Sequence, residues 1–122
     1  MIHKIKEVLE SLEIGPVRYG RIKTPPADWN YVVFARDRMS KSGSSGNNFN
    51  RYYSVAIVHE DYIPEDMEKR VLGAMKKIKG LRLANDNIQY DYMVKSNSDT
   101  VVEMAVMTFT EALKGYDVCQ QT

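Results

Sequence analysis

Two stretches of this chain carry apolar side chains at odd and even positions alike: Tyr31-Val32-Val33-Phe34-Ala35 and Tyr52-Tyr53-Ser54-Val55-Ala56-Ile57-Val58. A strand turns successive side chains to opposite faces, so these stretches predict a sheet that is apolar on both sides. Val32, Phe34, Tyr53, Val55 and Ile57 share one face with Tyr90, Tyr92 and Val94 of a later strand. Tyr31, Val33, Ala35, Tyr52, Ala56 and Val58 share the other with Met93, Val102, Met104 and Val106. The register of the last two strands against the first ones is left open by the sequence.

Two segments have the periodicity of helices that can cover such a sheet. Ile2, Ile5, Val8, Leu9 and Leu12 recur at helical spacing, and Gly15-Pro16 forms the stop. The second, from about Pro64 to Ile78, opens on Glu65, Asp66 and Glu68 and closes on Lys76, Lys77 and Lys79 before Gly80. Acid at the start and base at the end complement the helix dipole, and Met67, Val71, Ala74, Met75 and Ile78 form the apolar stripe between them.

Strands are expected at Val17–Ile22, Tyr31–Met39, Tyr52–His59, Gln89–Lys95 and Thr100–Thr110. Pro25-Pro26 demands a loop, as does the polar, glycine-containing stretch Ser40–Asn50, read here as an oversized hairpin tip. Leu81–Asn87 reads as a connection and Ser96-Asn97-Ser98-Asp99 as a turn. Glu111–Thr122 reads as a short helical turn and a frayed tail. The expected architecture is α+β in the order α-β-β-β-α-β-β: an antiparallel-rich mixed sheet of four to five strands with both helices on one face. One domain spans residues 1–113, with a mobile tail over 114–122.

The length of 122 residues is that of a single domain, and the formal net charge of +1 gives no general attraction to nucleic acid or membrane. The lone cysteine, Cys119, allows no internal disulfide and suits a reducing compartment. Met1 to Glu7 lacks the apolar core of a signal peptide, and no run approaches a membrane span. Eight tyrosines against three phenylalanines suit half-wet interfaces, and equally suit plain strands.

No residue pattern predicts catalysis, a metal or a cofactor. Ser42-Gly43-Ser44-Ser45-Gly46 is not followed by the Lys-Ser/Thr of a phosphate loop. His59-Glu60-Asp61 alternates in direction and reads as a solvated strand end. Asp91 and Glu103 fall on neighbouring strands as a possible carboxylate pair, without any sign of a pocket. Cys119 has no flanking base. Arg36, Arg38, Lys41 and Arg51, beside Tyr52 and Tyr53, form a basic hairpin; this supports an alternative reading as a small nucleic-acid-binding α+β module using Arg36 to Arg51.

The succession of motifs resembles a known family. A short helix ends in Ile14-Gly15-Pro16-Val17, a Pro25-Pro26 loop leads to Tyr31-Val32-Val33-Phe34, and a polar gap precedes Tyr52-Tyr53-Ser54-Val55-Ala56-Ile57. A helix with acidic start and basic end then leads to a final strand pair. Over roughly residues 1 to 113 this is similar to the tail-terminator, or tail-completion, proteins that join head and tail in long-tailed bacteriophages and prophages. The resemblance implies a non-enzymatic virion protein, assembled in the host bacterial cytoplasm and ending in the tail or neck. Its partners would be copies of itself in a ring, typically of six, together with the tail-tube protein and the head connector or head-completion protein. Membrane and nucleic acid are not expected partners.

On this reading the greasy sheet surface seeks another subunit. Tyr31, Val33, Tyr52 and Val102 are the expected subunit-interface residues. Lys41, Asn47, Asn48 and Phe49 belong to the expected partner-docking loop, loose until a partner offsets its ordering entropy.

Overall fold

The computed structural model describes residues 1–22, 29–42, 48–84 and 88–114. The Pro25-Pro26 loop, Asn47, Asn87 and the tail from residue 115 with Cys119 lie outside the described residues. The elements are α1 (Ile2–Ser11), β1 (Val17–Tyr19), β2 (Tyr31–Ser42), β3 (Asn48–Glu60), α2 (Glu65–Lys76), β4 (Leu81–Leu83), β5 (Gln89–Val94) and β6 (Val101–Leu113). The fold is α+β, with two helices and one mixed sheet of six strands among the described residues.

β1 runs parallel to β2, and the β2–β3 and β3–β6 pairs are antiparallel. The outer edge of β6 is divided. β4 pairs with its Phe109–Glu111 half and β5 with its Val101–Val106 half, both antiparallel. The turn from β5 to β6 places Asn97 at φ 61, a conformation asparagine tolerates, and the Ser98 amide donates to the Lys95 carbonyl.

Both helices pack on one face. Ile5 and Leu9 of α1, and Val71 and Met75 of α2, are four residues apart and fully buried. They meet Val32 and Phe34 of β2, Val55 and Ile57 of β3, and Met107 and Phe109 of β6 in one core. The Arg70 guanidinium, on α2, donates to the Leu12 carbonyl at the end of α1 and ties the helices together. α1 stops earlier than its glycine suggests: Glu13 (φ 54) takes the left-handed position after the helix. Gly15 (φ 130) serves the next bend, where a Cβ would stand 2.8 Å from the Asn30 carbonyl oxygen.

The strand faces follow the alternation read from the sequence, with Tyr90, Tyr92 and Val94 on the helix side and Met93, Val102, Met104 and Val106 opposite. Four features differ from expectation. Leu81–Leu83 is a strand, not part of a connection. Glu111–Leu113 continues β6 rather than starting a helical turn. The hairpin is much longer than its apolar residues indicate, with Ser40–Ser42 and Asn48–Asn50 paired in β2 and β3. Asp37 is a bulge between the pairs Arg36↔Tyr53 and Arg38↔Tyr52, so Arg38, Met39 and later residues lie on faces opposite to those that strict alternation assigns.

The far face is not bare. Tyr31, Val58 and Val102 form a second buried cluster, packed against Ile22, Trp29, Val33 and Met104. Burial there pushes the Tyr31 hydroxyl pKa above its ordinary value. Farther along the same face, Thr110 is 5 % exposed and its hydroxyl has no hydrogen-bond partner among the described residues.

Two substitutions test this packing. Gly15→Ala adds a methyl at the tight approach to Asn30 and forces a non-glycine residue to φ 130; thermal melts should show a loss of roughly 1–3 kcal/mol. Thr110→Val removes the unpartnered hydroxyl at constant shape; denaturant titration should show a gain of about 1 kcal/mol.

Candidate interaction surfaces

Strand and helix lengths do not match. β3 and β6 have 13 residues each, about 43 Å of extended chain. α1 and α2 have 10 and 12 residues, about 15 and 18 Å of helix. Beyond the Leu81↔Glu111 pairing of β4, the ends of β2 and β3, with the last residues of β6 beside them, run on as an arm past the core residues Phe34, Tyr53 and Phe109.

On the helix side lie Arg36 at the root of this arm, opposite Tyr53, then Met39 and Lys41 from β2 and Phe49 and Arg51 from β3. Arg36, Met39 and Lys41 are exposed, and Phe49 and Arg51 half-buried. Glu111 of β6 sits opposite Arg51, and its carboxylate accepts the Tyr53 hydroxyl at 3.0 Å. Arg38, turned over by the bulge, stacks 4.0 Å from the centre of the Tyr52 ring and pairs with Asp37 at 2.7 Å. Arg36, Lys41 and Arg51 form no ion pair among the described residues.

The opposite end of the sheet has a different character. A cleft of about 640 Å³ opens between the start of α2, strand β5 and the chain linking β3 to α2. Ile63, Leu72 and Ile88 supply its apolar lining, and Tyr62, Tyr90 and Tyr92 its aromatic walls. These tyrosines are 70 %, 46 % and 59 % exposed, unusually open for large rings. Glu65, Glu68 and Glu103 add three carboxylates against the single cation Lys69.

A hydrogen bond fixes one of the rings. The Tyr90 hydroxyl donates to Glu68 Oε2 at 2.6 Å, bridging β5 and α2. That bond first, then lost hydration and the charge of Glu68, pushes the Tyr90 pKa up to about 12. Tyr92 is likewise raised, chiefly by its hydrogen bond to Glu103. Glu103 also accepts the Ile63 amide at 2.8 Å. None of Glu65, Glu68 and Glu103 forms an ion pair among the described residues.

The residues anticipated from sequence divide between several places. Val102 is fully buried and Tyr31 nearly so within the single chain, where they pack beneath Ile22 and Trp29. Val33 and Tyr52 are half-buried. Lys41, Asn48 and Phe49 are not loop residues: Lys41 pairs with Phe49 and Ser42 with Asn48 in the β2–β3 ladder, whose backbone bonds order this polar stretch. Asp91 and Glu103 do not form a carboxylate pair. Asp91 sits opposite Met104 and Glu103 opposite Tyr92, which sends the two acids to opposite faces. At the end of β3, His59 Nδ1–H donates to the Glu60 carbonyl, and the Glu60 carboxylate pairs with Lys95 at 2.6 Å. Among the described residues no group of three His, Cys, Asp or Glu side chains is placed to hold a metal ion, and no helix is long and apolar enough to cross a membrane.

Sequence reasoning missed the cleft. Its signal was the alternation Tyr90, Tyr92, Val94 on the helix side, facing a helix whose first turn holds Glu65 and Glu68. The missing piece was the pairing of β5 with the near half of β6, which brings both sets together. Comparison of the sequence with protein-family models and with curated proteins finds no match.

The Tyr90–Glu68 bond is testable by titration. In the native protein one tyrosine should ionise near pH 12, and Glu68→Gln should return it toward 10, read by ultraviolet tyrosinate absorbance and assigned by NMR. The folded-state value lies above the unfolded one. The stabilisation is therefore complete below pH 10 and is lost as pH rises toward 12.

Proposed function

We propose that this chain is a structural assembly subunit, and that its copies form a ring that terminates the tail tube of a long-tailed bacteriophage and joins it to the head connector. The observation that carries this reading is the reach of the sheet beyond its helices. The hairpin of β2 and β3, with the end of β6 beside it, extends past the core as an arm that no helix covers among the described residues. A lone globular domain gains nothing from a long, half-solvated arm; a subunit that must touch neighbours does. The basic residues favour this reading over nucleic-acid binding. The Asp37 bulge sends Arg38 to one face while Arg36, Lys41 and Arg51 take the other, and Glu111 interrupts the set. No single continuous basic track results of the kind that follows a phosphate backbone.

The resemblance in element order to tail-terminator proteins supplies the particular assembly. It is tested by polymerising the tail-tube protein of the same genome with and without this chain. Electron microscopy should show tubes of limited length bearing a terminal ring when the chain is present, and uncapped tubes of indefinite length when it is absent. Tubes that grow identically in both cases would remove the proposal.

A further inference from the structure

The arm and the cleft are complementary surfaces at opposite ends of one sheet. The arm presents Arg36, Lys41 and Arg51 around Met39 and Phe49. The cleft presents tyrosine rings and carboxylates around Ile63, Leu72 and Ile88. We infer that the cleft between α2 and β5 receives the basic arm of a second copy of this chain, with an arginine or lysine side chain seated among Tyr62, Tyr90 and Tyr92. This rests on the reading of the chain as a self-assembling subunit, and names the contact by which it does so.

Four observations lead to this occupant. The cleft holds three carboxylates and one lysine, and none of those acids is neutralised by an ion pair among the described residues, so it favours a cation. Tyrosine faces attract guanidinium and ammonium groups. This chain already uses that pairing, with Arg38 4.0 Å over Tyr52. The Tyr90–Glu68 bond holds the Tyr90 hydroxyl at a carboxylate and keeps that ring in place before a partner arrives. A preorganised site of this kind loses little entropy on binding. The arm carries apolar as well as basic side chains, so it matches the apolar lining in addition to the charge.

The arm cannot fold back to its own cleft. Arm residue Phe49 pairs with Leu113 at one end of β6, whereas Tyr92 pairs with Glu103 near the other. The two surfaces are therefore satisfied only between copies, in a head-to-tail contact. Such a heterologous interface generates a ring when its rotation closes.

Reciprocal charge reversal tests the contact, read by sedimentation velocity at low salt. The native chain should self-associate, and added salt should weaken the association. Glu65→Lys sets a cation in the cleft against a basic arm and leaves the Tyr90–Glu68 bond intact, and Arg36→Glu with Lys41→Glu sets the arm against an acidic cleft. Each variant alone should associate at least roughly tenfold more weakly. An equal mixture should recover association, because the native arm of one variant then meets the native cleft of the other. Tyr62→Ala, an exposed substitution, should weaken native association by about fivefold through loss of a ring face. The inference is overturned by a native chain that stays monomeric at every concentration. Association indifferent to all these changes, or folded variants that fail to recover on mixing, also overturn it. Tube capping that persists when the charge variants associate normally would reject this interface alone. Charge-dependent association without tube capping would reject the tail assignment alone.

Discussion

Twelve residue pairs, Phe49↔Leu113 through Glu60↔Val102, bind β3 to β6 across more than forty positions of sequence. Nearly every other element takes its place from this ladder. β2 lies against the outer side of β3, while β4 and β5 share the free edge of β6. The helices then pack on the one face where the ladder presents Tyr53, Val55 and Ile57 beside Ala105, Met107 and Phe109. Because the ladder is longer than either helix, it also dictates that some of the sheet must extend beyond them. The arm and the cleft are both consequences. One is the end of the ladder that the helices do not reach, and the other is the gap left where α2 begins beside the short strand β5.

What was legible in the sequence follows the same division. Both helices are readable because their apolar residues repeat at helical spacing and their ends carry suitable charges or breakers. The strand faces are readable wherever burial imposes alternation, as in Tyr31–Ala35 and Tyr52–Val58. In the arm that pressure disappears. Ser40, Lys41, Asn48 and Asn50 have the composition of a loop, yet backbone pairing across the β2–β3 hairpin keeps them extended, and β6 supports β3 from the other side. Side-chain pattern cannot report a strand held by its backbone alone. The Asp37 bulge is hidden for a similar reason: no buried apolar residue beyond it reveals the change of phase. The cleft was out of reach because it depends on register. Until Tyr92 is set opposite Glu103, the two are residues eleven positions apart with nothing to connect them.

The second cluster changes the account of why the sheet is apolar on both faces. Val102 and Val58 are hidden inside the chain by Trp29, Ile22 and Tyr31. Much of the far-face apolar content near that end is thus ordinary core, supplied by the stretch between β1 and β2 rather than by a helix. The remaining far face, toward the arm, is built of smaller side chains such as Ala35, Ser54, Ala56 and Thr108. These expose little area each. The stronger candidates for contact are therefore not the far-face aliphatics but the long side chains that reach outward on the helix side.

Those side chains also give the molecule a direction. Cations gather where the hairpin projects, and carboxylates gather where α2 begins, so the charge runs along the strands. A molecule whose two ends attract each other does not prefer a twofold dimer, in which like surfaces meet. On the proposed contact it stacks or circles head to tail. The overall net charge of +1 conceals this completely, since the opposing clusters cancel in the sum. Strand β5 matters here for a reason other than its side chains. Its outer edge has no further neighbour in the sheet among the described residues, and all six of its residues are exposed. An arm arriving at the cleft would pass close to that edge and shield backbone groups that otherwise invite indiscriminate pairing. Charge would then select the partner, and burial of the edge would make the contact one that further copies cannot repeat at the same place.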